Sequence, residues 1–141
     1  MSASTPPIAE TPWRTLRSLV RPLWPIEQAV IEAAAHDYPA SADALREQID
    51  ALQVVSFRNT GGGFFSTVHA PSNARRLVDK SPLDVGTGSV DGIEHGMGFL
   101  VFLEDGHPSV IEGYAFAAVS TNVIDFSSVS FDVKPWSTAG D

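Results

Sequence analysis

The chain has no cysteine, which removes disulfide bonds, thiolate metal ligands and a cysteine nucleophile in one step. Basic residues are scarce as well. Nine Lys and Arg stand against 17 Asp and Glu, giving a formal charge of -8 and a pI near 4.8. Such a field repels phosphate backbones at long range, so no nucleic-acid partner is expected. The basic residues do gather at Arg14, Arg17 and Arg21 and again at Arg75 and Arg76, but neither group alternates with the aromatic residues that base stacking needs. No apolar run approaches the roughly 20 residues of a membrane-spanning helix. The opening MSASTPPIAETP has neither the basic nor the apolar part of an export signal. A cytoplasmic protein with no membrane partner is expected.

Catalytic signatures are missing too. There is no G-x-S-x-G elbow, and the triplet Gly61 to Gly63 lacks the lysine and following helix of a phosphate loop. His36, His69, His95 and His107 form no His-x-His or His-x-x-x-His pair, so a metal site would need convergence from separate elements. No metal and no other cofactor is expected.

What the chain does contain is enough apolar material for one core. Its 141 residues are 43% hydrophobic and 18% charged, the balance of a folded single domain. Residues 1–12, with three prolines and no apolar period, read as a flexible tail. Residues 13–141 read as a single α+β domain, with helices over about 13–52 and the sheet over about 53–134. In WRTLRSLVRPLW, Trp13, Leu16, Leu19, Val20 and Leu23 follow helical spacing, and Pro22 ends or kinks the helix. Its basic, amphipathic character also suits a surface anchor or a partner helix. Pro25 opens a second helix to about His36, with Ile26, Val30, Ala33 and Ala34 on its apolar face. Ser41 is placed to cap a third helix carrying Leu45, Ile49 and Leu52.

From residue 53 onward, β-branched and aromatic runs broken by glycine predict strands near 53–59, 63–69, 89–95, 97–104, 108–118 and 128–134. The fold class is therefore α+β, with N-terminal helices packed on one face of a curved antiparallel sheet of about five or six strands. The long connection from Pro71 to Thr87 has room for one short helix, capped by Ser72 or Asn73.

Asp105-Gly106 is the most specific local signal, because the pair suits the two positive-φ positions of a type I′ hairpin turn. An unbroken register from that turn pairs Glu104 with His107, Val101 with Val110, Phe99 with Glu112, Gly98 with Gly113 and Met97 with Tyr114. Both faces of the hairpin are then apolar, which places it centrally in the sheet and calls for a cover on the side away from the helices. A second copy of the chain is the economical cover. In this register Glu112 lies among Phe99, Val110 and Tyr114. A carboxylate there is paired with Arg58 or backbone donors, or stays protonated, or lines a wet cavity as a general acid or base. Glycines 86, 88, 92, 96, 98 and 113 expose backbone near the hairpin. They read either as bulges and close packing or as the floor of a pocket.

The segments VVSFRNTGGGFFSTV, GIEHGMGFLVFLEDG and SVIEGYAF together resemble a set of small, functionally uncharacterised bacterial proteins. These carry an R-x-x-T-G-x-G-F-F segment, a G-F-x-L-F-x-x-D-G hairpin and an L-E-G-Y/F strand. The matching residues are Arg58, Gly61, Gly63, Phe64 and Phe65, then Gly98, Phe99, Phe102, Asp105 and Gly106, then Glu112, Gly113 and Tyr114. The resemblance covers roughly residues 40–118 and departs at Asn59, at Ile111 where leucine is usual, and throughout the C-terminal part. It implies a bacterial source and a shared role for Arg58 and Glu112, but no chemistry.

Two functions follow. The first is a non-catalytic binding or protein-interaction module, homodimeric through a sheet face and open to a small molecule or protein partner. The second is a small hydrolase, lyase or isomerase in which Glu112 and His95 do the catalytic acid-base work in a glycine-lined pocket, with Arg58, Gly98, Gly113 and Tyr114 binding the ligand.

Overall fold

The structure is a computed structural model that describes residues 20–136. The tail expected over 1–12 and most of the amphipathic segment expected from residue 13 lie outside the described residues. Within them the α+β expectation holds: two helices and one open antiparallel sheet of seven strands. The strands are β1 (Arg21–Pro22), β2 (Gln53–Asn59), β3 (Gly63–His69), β4 (Leu83–Val90), β5 (Ile93–Glu104), β6 (His107–Ala115) and β7 (Phe131–Lys134), in the order β1-β2-β3-β6-β5-β4-β7. The helices are α1 (Pro25–Asp37) and α2 (Ala42–Gln48), joined by a 3-10 turn at Pro39–Ser41.

Residues 20–24 do not continue a helix. Arg21 and Pro22 pair with Val54 and Gln53 as a short edge strand, which suits a proline that cannot donate to a central ladder. Helix α1 then starts at Pro25, where its missing N–H costs nothing. Ile26, Val30, Ile31, Ala34 and Ala35 are buried along it, and α1 crosses β4, β5 and β7. Ser41 precedes α2 as expected, yet its hydroxyl does not cap the helix. It donates to Asp79 at 2.7 Å and accepts the Val78 N–H at 3.1 Å, tying the 71–82 connection to the helical layer. No helix forms in that connection.

Two strand expectations change. Leu83 to Val90 is a full strand, and Asp91-Gly92 is a tight turn, since Val90 pairs directly with Ile93. The strand expected at 89–95 is therefore the tip of a second hairpin. Glycines inside β4 are required by β7: a Cβ at Gly86 would fall 2.3 Å from the Lys134 carbonyl oxygen, and one at Gly88 2.8 Å from that of Asp132. The core lies between helices and sheet and includes Val54, Phe64, Leu83, Met97, Phe99, Val101 and Ile111.

Candidate functional site

The site candidate follows from one irregularity in the β5–β6 hairpin. Asp105 and Gly106 adopt φ values of 53° and 79°, as a type I′ turn requires. Glu104 pairs with His107 and Leu103 with Pro108, but Phe102 then pairs with Val110. Ser109 is the extra residue, and its hydroxyl donates to the Phe102 carbonyl at 3.1 Å. The cause is Pro108, which has no N–H to give the ladder, so the strand bulges beside it.

From the bulge on, every pair moves by one residue. Val101 pairs with Ile111, Leu100 with Glu112, Phe99 with Gly113 and Gly98 with Tyr114. A shift of one exchanges the two faces of a strand. Ile111 and Gly113 therefore turn toward the helices, while Glu112 and Tyr114 turn away. The register expected from the turn alone, with Glu112 opposite Phe99, is corrected.

The face turned away from the helices can be read across the strands. One row holds Arg58, Phe65, Glu112, Leu100 and Asp84. The row on one side holds Thr67, Val110 and Phe102, and the row on the other Tyr114, Gly98, Thr87 and Lys134. Phe65 is 37% exposed, and Leu100, Phe102, Val110, Glu112 and Tyr114 are half-buried. On the opposite face Phe64, Ser66, Phe99, Val101 and Ile111 are shut off from solvent, and Ser66 touches Glu27 of α1.

Glu112 stands in the first face without a hydrogen-bond or ion-pair partner among the described residues. Arg58, its anticipated partner, lies two strands away, roughly 10 Å at the backbone, with Phe65 between them. Partial burial pushes the Glu112 carboxyl above the usual carboxylate range. The Tyr114 hydroxyl is raised as well, first by burial and then by the negative charges of Asp84 and Glu112. The Tyr114 ring meets Phe116 edge to face at 5.7 Å.

The expected glycine-lined pocket is filled by aromatic rings. A Cβ at Gly98 would fall 2.5 Å from the Tyr114 ring, and one at Gly113 2.5 Å from the Phe64 ring on the other face. Gly96 is closed by the Gly88 carbonyl at 2.8 Å. These glycines are notches that let large rings lie flat on neighbouring strands.

His95 is not brought to Glu112. Met97 pairs with Ala115, so His95 lies beyond the end of β6, five residues from Leu100 and about 17 Å along the strand. It is exposed beside Glu94 at 3.9 Å. The His107 ring contacts the Ala74 carbonyl at 2.9 Å. Among the described residues no cluster of three or more His, Asp or Glu could hold a metal ion.

The basic groups are largely neutralised. Arg75 pairs with Glu47, Arg76 with Asp105 at 3.0 Å, and Arg21 with Glu27 at 2.8 Å. The last pair belongs to a buried cluster that the sequence alone did not disclose. Glu27, fully buried, accepts from both Arg21 terminal nitrogens, from the Trp24 N–H at 2.7 Å and from the Ser66 hydroxyl. The Arg21 guanidinium also lies 3.4 Å from the Trp24 ring centroid. The spacing Trp24, Pro25, Glu27 was the available signal, since a glutamate three residues after a helix N-cap reaches back to its N–H. With three sets of donors engaged and no exposure to solvent, this carboxylate joins β1, α1 and β3 and is not placed to meet a substrate.

The described residues thus form an α+β fold that buries one sheet face under two helices and presents the other, aromatic and aliphatic around the unpaired carboxylate of Glu112. No protein-family model matches the chain, and neither a curated protein nor a solved structure does. Among the described residues no helix is long and apolar enough to cross a membrane.

Proposed function

We propose that the chain is a non-catalytic protein-interaction module that docks a second copy of itself through the open sheet face. The observation that supports this reading is the row structure of that face: Phe65, Leu100, Phe102, Val110 and Tyr114 form a contiguous apolar surface spanning β3, β6 and β5. Surfaces of this kind, rimmed by charge, mark association sites. Arg58 and Glu112 lie on opposite flanks of Phe65 in one row. A two-fold axis near Phe65 would bring the Arg58 of each copy toward the Glu112 of the other, giving the carboxylate the partner it lacks. The filled glycine notches and the distance from His95 to Glu112 remove the physical motive for an acid-base enzyme at this place.

Sedimentation from micromolar to several hundred micromolar protein tests the reading. Self-association of the native chain, abolished by Leu100→Lys without loss of thermal stability, is the expected result. A native chain that stays monomeric throughout, or a Leu100→Lys variant that assembles equally well, would overturn it.

A further inference from the structure

The outer edge of β7 is left open. The Asp91 N–H donates to the Ser130 carbonyl at 2.9 Å, and from there the register runs unbroken through Val90–Phe131, Ser89–Asp132, Gly88–Val133 and Thr87–Lys134. In an antiparallel ladder, bonded and non-bonded pairs alternate. Ser130, Asp132 and Lys134 therefore bond to β4, while the N–H and C=O groups of Phe131 and Val133 point away from it. The close approach at Gly88, where a Cβ would fall 3.0 Å from the Val133 Cα, fits a non-bonded pair. β7 ends the strand order, and no hydrogen bond among the described residues takes these four outward groups. They form a template for one more strand.

A cavity lies at each end of that template. One, of about 570 Å³, is lined by Ser89, Asp91, Phe131 and Asp132 among others. The other, of about 410 Å³, is lined by Asp37, Tyr38, Asp84 and Trp136. Trp136 is 48% exposed and donates its indole N–H to Asp84 at 3.1 Å, so an aromatic face and a carboxylate stand together at that end. Asp84, Asp91 and Asp132 are exposed. Lys134 is the one cation among the strand and these linings, and it is paired with Asp132 at 2.9 Å. A bare lysine on an edge keeps other strands away. With its charge met and acid at both ends, this edge instead favours a strand that is basic. Asp132 and Trp136 are four residues apart, about 13 Å along an extended chain.

We infer that the β7 edge binds an extended basic segment of another protein as an antiparallel eighth strand. One residue of the segment exchanges two hydrogen bonds with Val133. The residue after it is basic and faces Asp132. A second basic residue, four positions before the first, reaches Asp84 and the Trp136 ring. The main-chain bonds supply the pairing, and the two charges supply the choice of partner. The edge lies two strands beyond β5, outside the apolar surface of β3, β6 and β5, so the inference does not rest on the docking proposed above.

An NMR titration of the isotope-labelled full chain with the end-blocked peptide Arg-Val-Thr-Val-Lys-Val tests this. The amide signals of Phe131 and Val133 are expected to shift, and their hydrogen exchange to slow at least about tenfold at saturation. The peptide Glu-Val-Thr-Val-Glu-Val should bind at least about tenfold more weakly. So should the basic peptide N-methylated at its fourth residue, which keeps both charges but cannot donate to Val133. Asp84→Asn combined with Asp132→Asn should weaken the unmodified basic peptide by a similar factor. Unmoved Phe131 and Val133 amides, equal binding of the N-methylated peptide, or equal binding of the acidic one would overturn the inference. Slowing of the same two amides by raised protein concentration alone would give the edge to a second copy and overturn it as well. In Leu100→Lys the basic peptide should bind unchanged; its loss there would place the peptide on the open face and overturn the edge.

Discussion

Arg21→Ala is expected to be among the most damaging single changes on the molecular surface. It leaves the Glu27 carboxylate, fully buried in the first turn of α1, without its only cation among the described residues. Arg21 itself is 19% exposed at the side chain. Breaking a buried pair from one side typically costs about 3–5 kcal/mol, because the remaining charge keeps its desolvation penalty. Loss of the guanidinium over Trp24 at 3.4 Å adds about 0.5–1 kcal/mol. Against a total stability of roughly 5–15 kcal/mol for a domain of this kind, that is a large share. It corresponds to a fall in Tm on the order of 10–20 °C. Urea denaturation at neutral pH reads the loss as a shift in midpoint at constant slope. The neutral pair Arg21→Met with Glu27→Gln is the decisive comparison, since it removes both charges while the amide still accepts from Trp24 or Ser66. The double variant should be more stable than Arg21→Ala alone by about 2 kcal/mol or more. A loss below about 1 kcal/mol for Arg21→Ala, or a double variant no better than the single, would mean that Glu27 is solvated and that the cluster is not a lock.

Three further outcomes follow from the same geometry. The Glu112 carboxyl is raised by burial, so its ionised form is disfavoured in the fold. The stability it retains as a neutral acid is present below the usual carboxylate range and is lost as pH rises through its folded-state value. Glu112→Gln should therefore stabilise the monomer slightly at pH 7, the gain being cut by solvent screening of this partly exposed group, with no gain near pH 3; equal gain at both would show that charge is not the cause. Gly113→Ala drives a methyl into Phe64 in the core and should cost about 1–3 kcal/mol in denaturant titration, whereas Gly98→Ala, whose obstacle is the half-buried Tyr114 ring, should be relieved when combined with Tyr114→Ala. Asp125 is held below the usual carboxylate range, chiefly by the Ser127 hydroxyl and then by its N–H; in an NMR titration Ser127→Ala should return it upward, and an unmoved Asp125 would discount the hydroxyl.

The parts of the fold that were legible in the sequence are those governed by neighbours in the chain. Pro25 and the spacing of Ile26, Val30 and Ala34 place α1 to within a residue, because a helix is a local object with a strong period. Strands β2 and β3 lie where their alternation puts them, and Asp105-Gly106 turns as its backbone preference demands. Strand β4 was hidden by its own glycines. Gly86 and Gly88 dilute the apolar alternation of Leu83, Val85 and Val90, and the reason for them is the backbone of β7, more than 40 residues downstream. The same turn dipeptide, at Asp91-Gly92, has no recognisable strand before it in the sequence. Arg21 misleads in a similar way: it sits at helical spacing from Arg14 and Arg17, yet its position is decided by Glu27 and Ser66.

The candidate site shows how much a single residue of register decides. Glu112 stands out in the sequence as a carboxylate in an apolar strand, and its setting in the fold remains unusual: partly buried, raised and without a partner. Its company, however, depends on Pro108. A proline two residues after the turn cannot keep the ladder. The extra residue at Ser109 moves Glu112 from the helix side, where Phe99 and Val101 are fully buried, to the open side beside Phe65 and Leu100. On the helix side an unpaired carboxylate would cost several kcal/mol and demand a catalytic or structural explanation. On the open side the cost is small, because water still reaches the half-buried carboxylate. The bulge therefore takes Glu112 out of the buried setting from which an acid-base role would be argued. Restoring the ladder with Pro108→Val, Ser109 being kept and paired with Phe102, should put Glu112 opposite Phe99 on the core side and destabilise the domain by several kcal/mol, a loss that Glu112→Leu in the same background would largely recover.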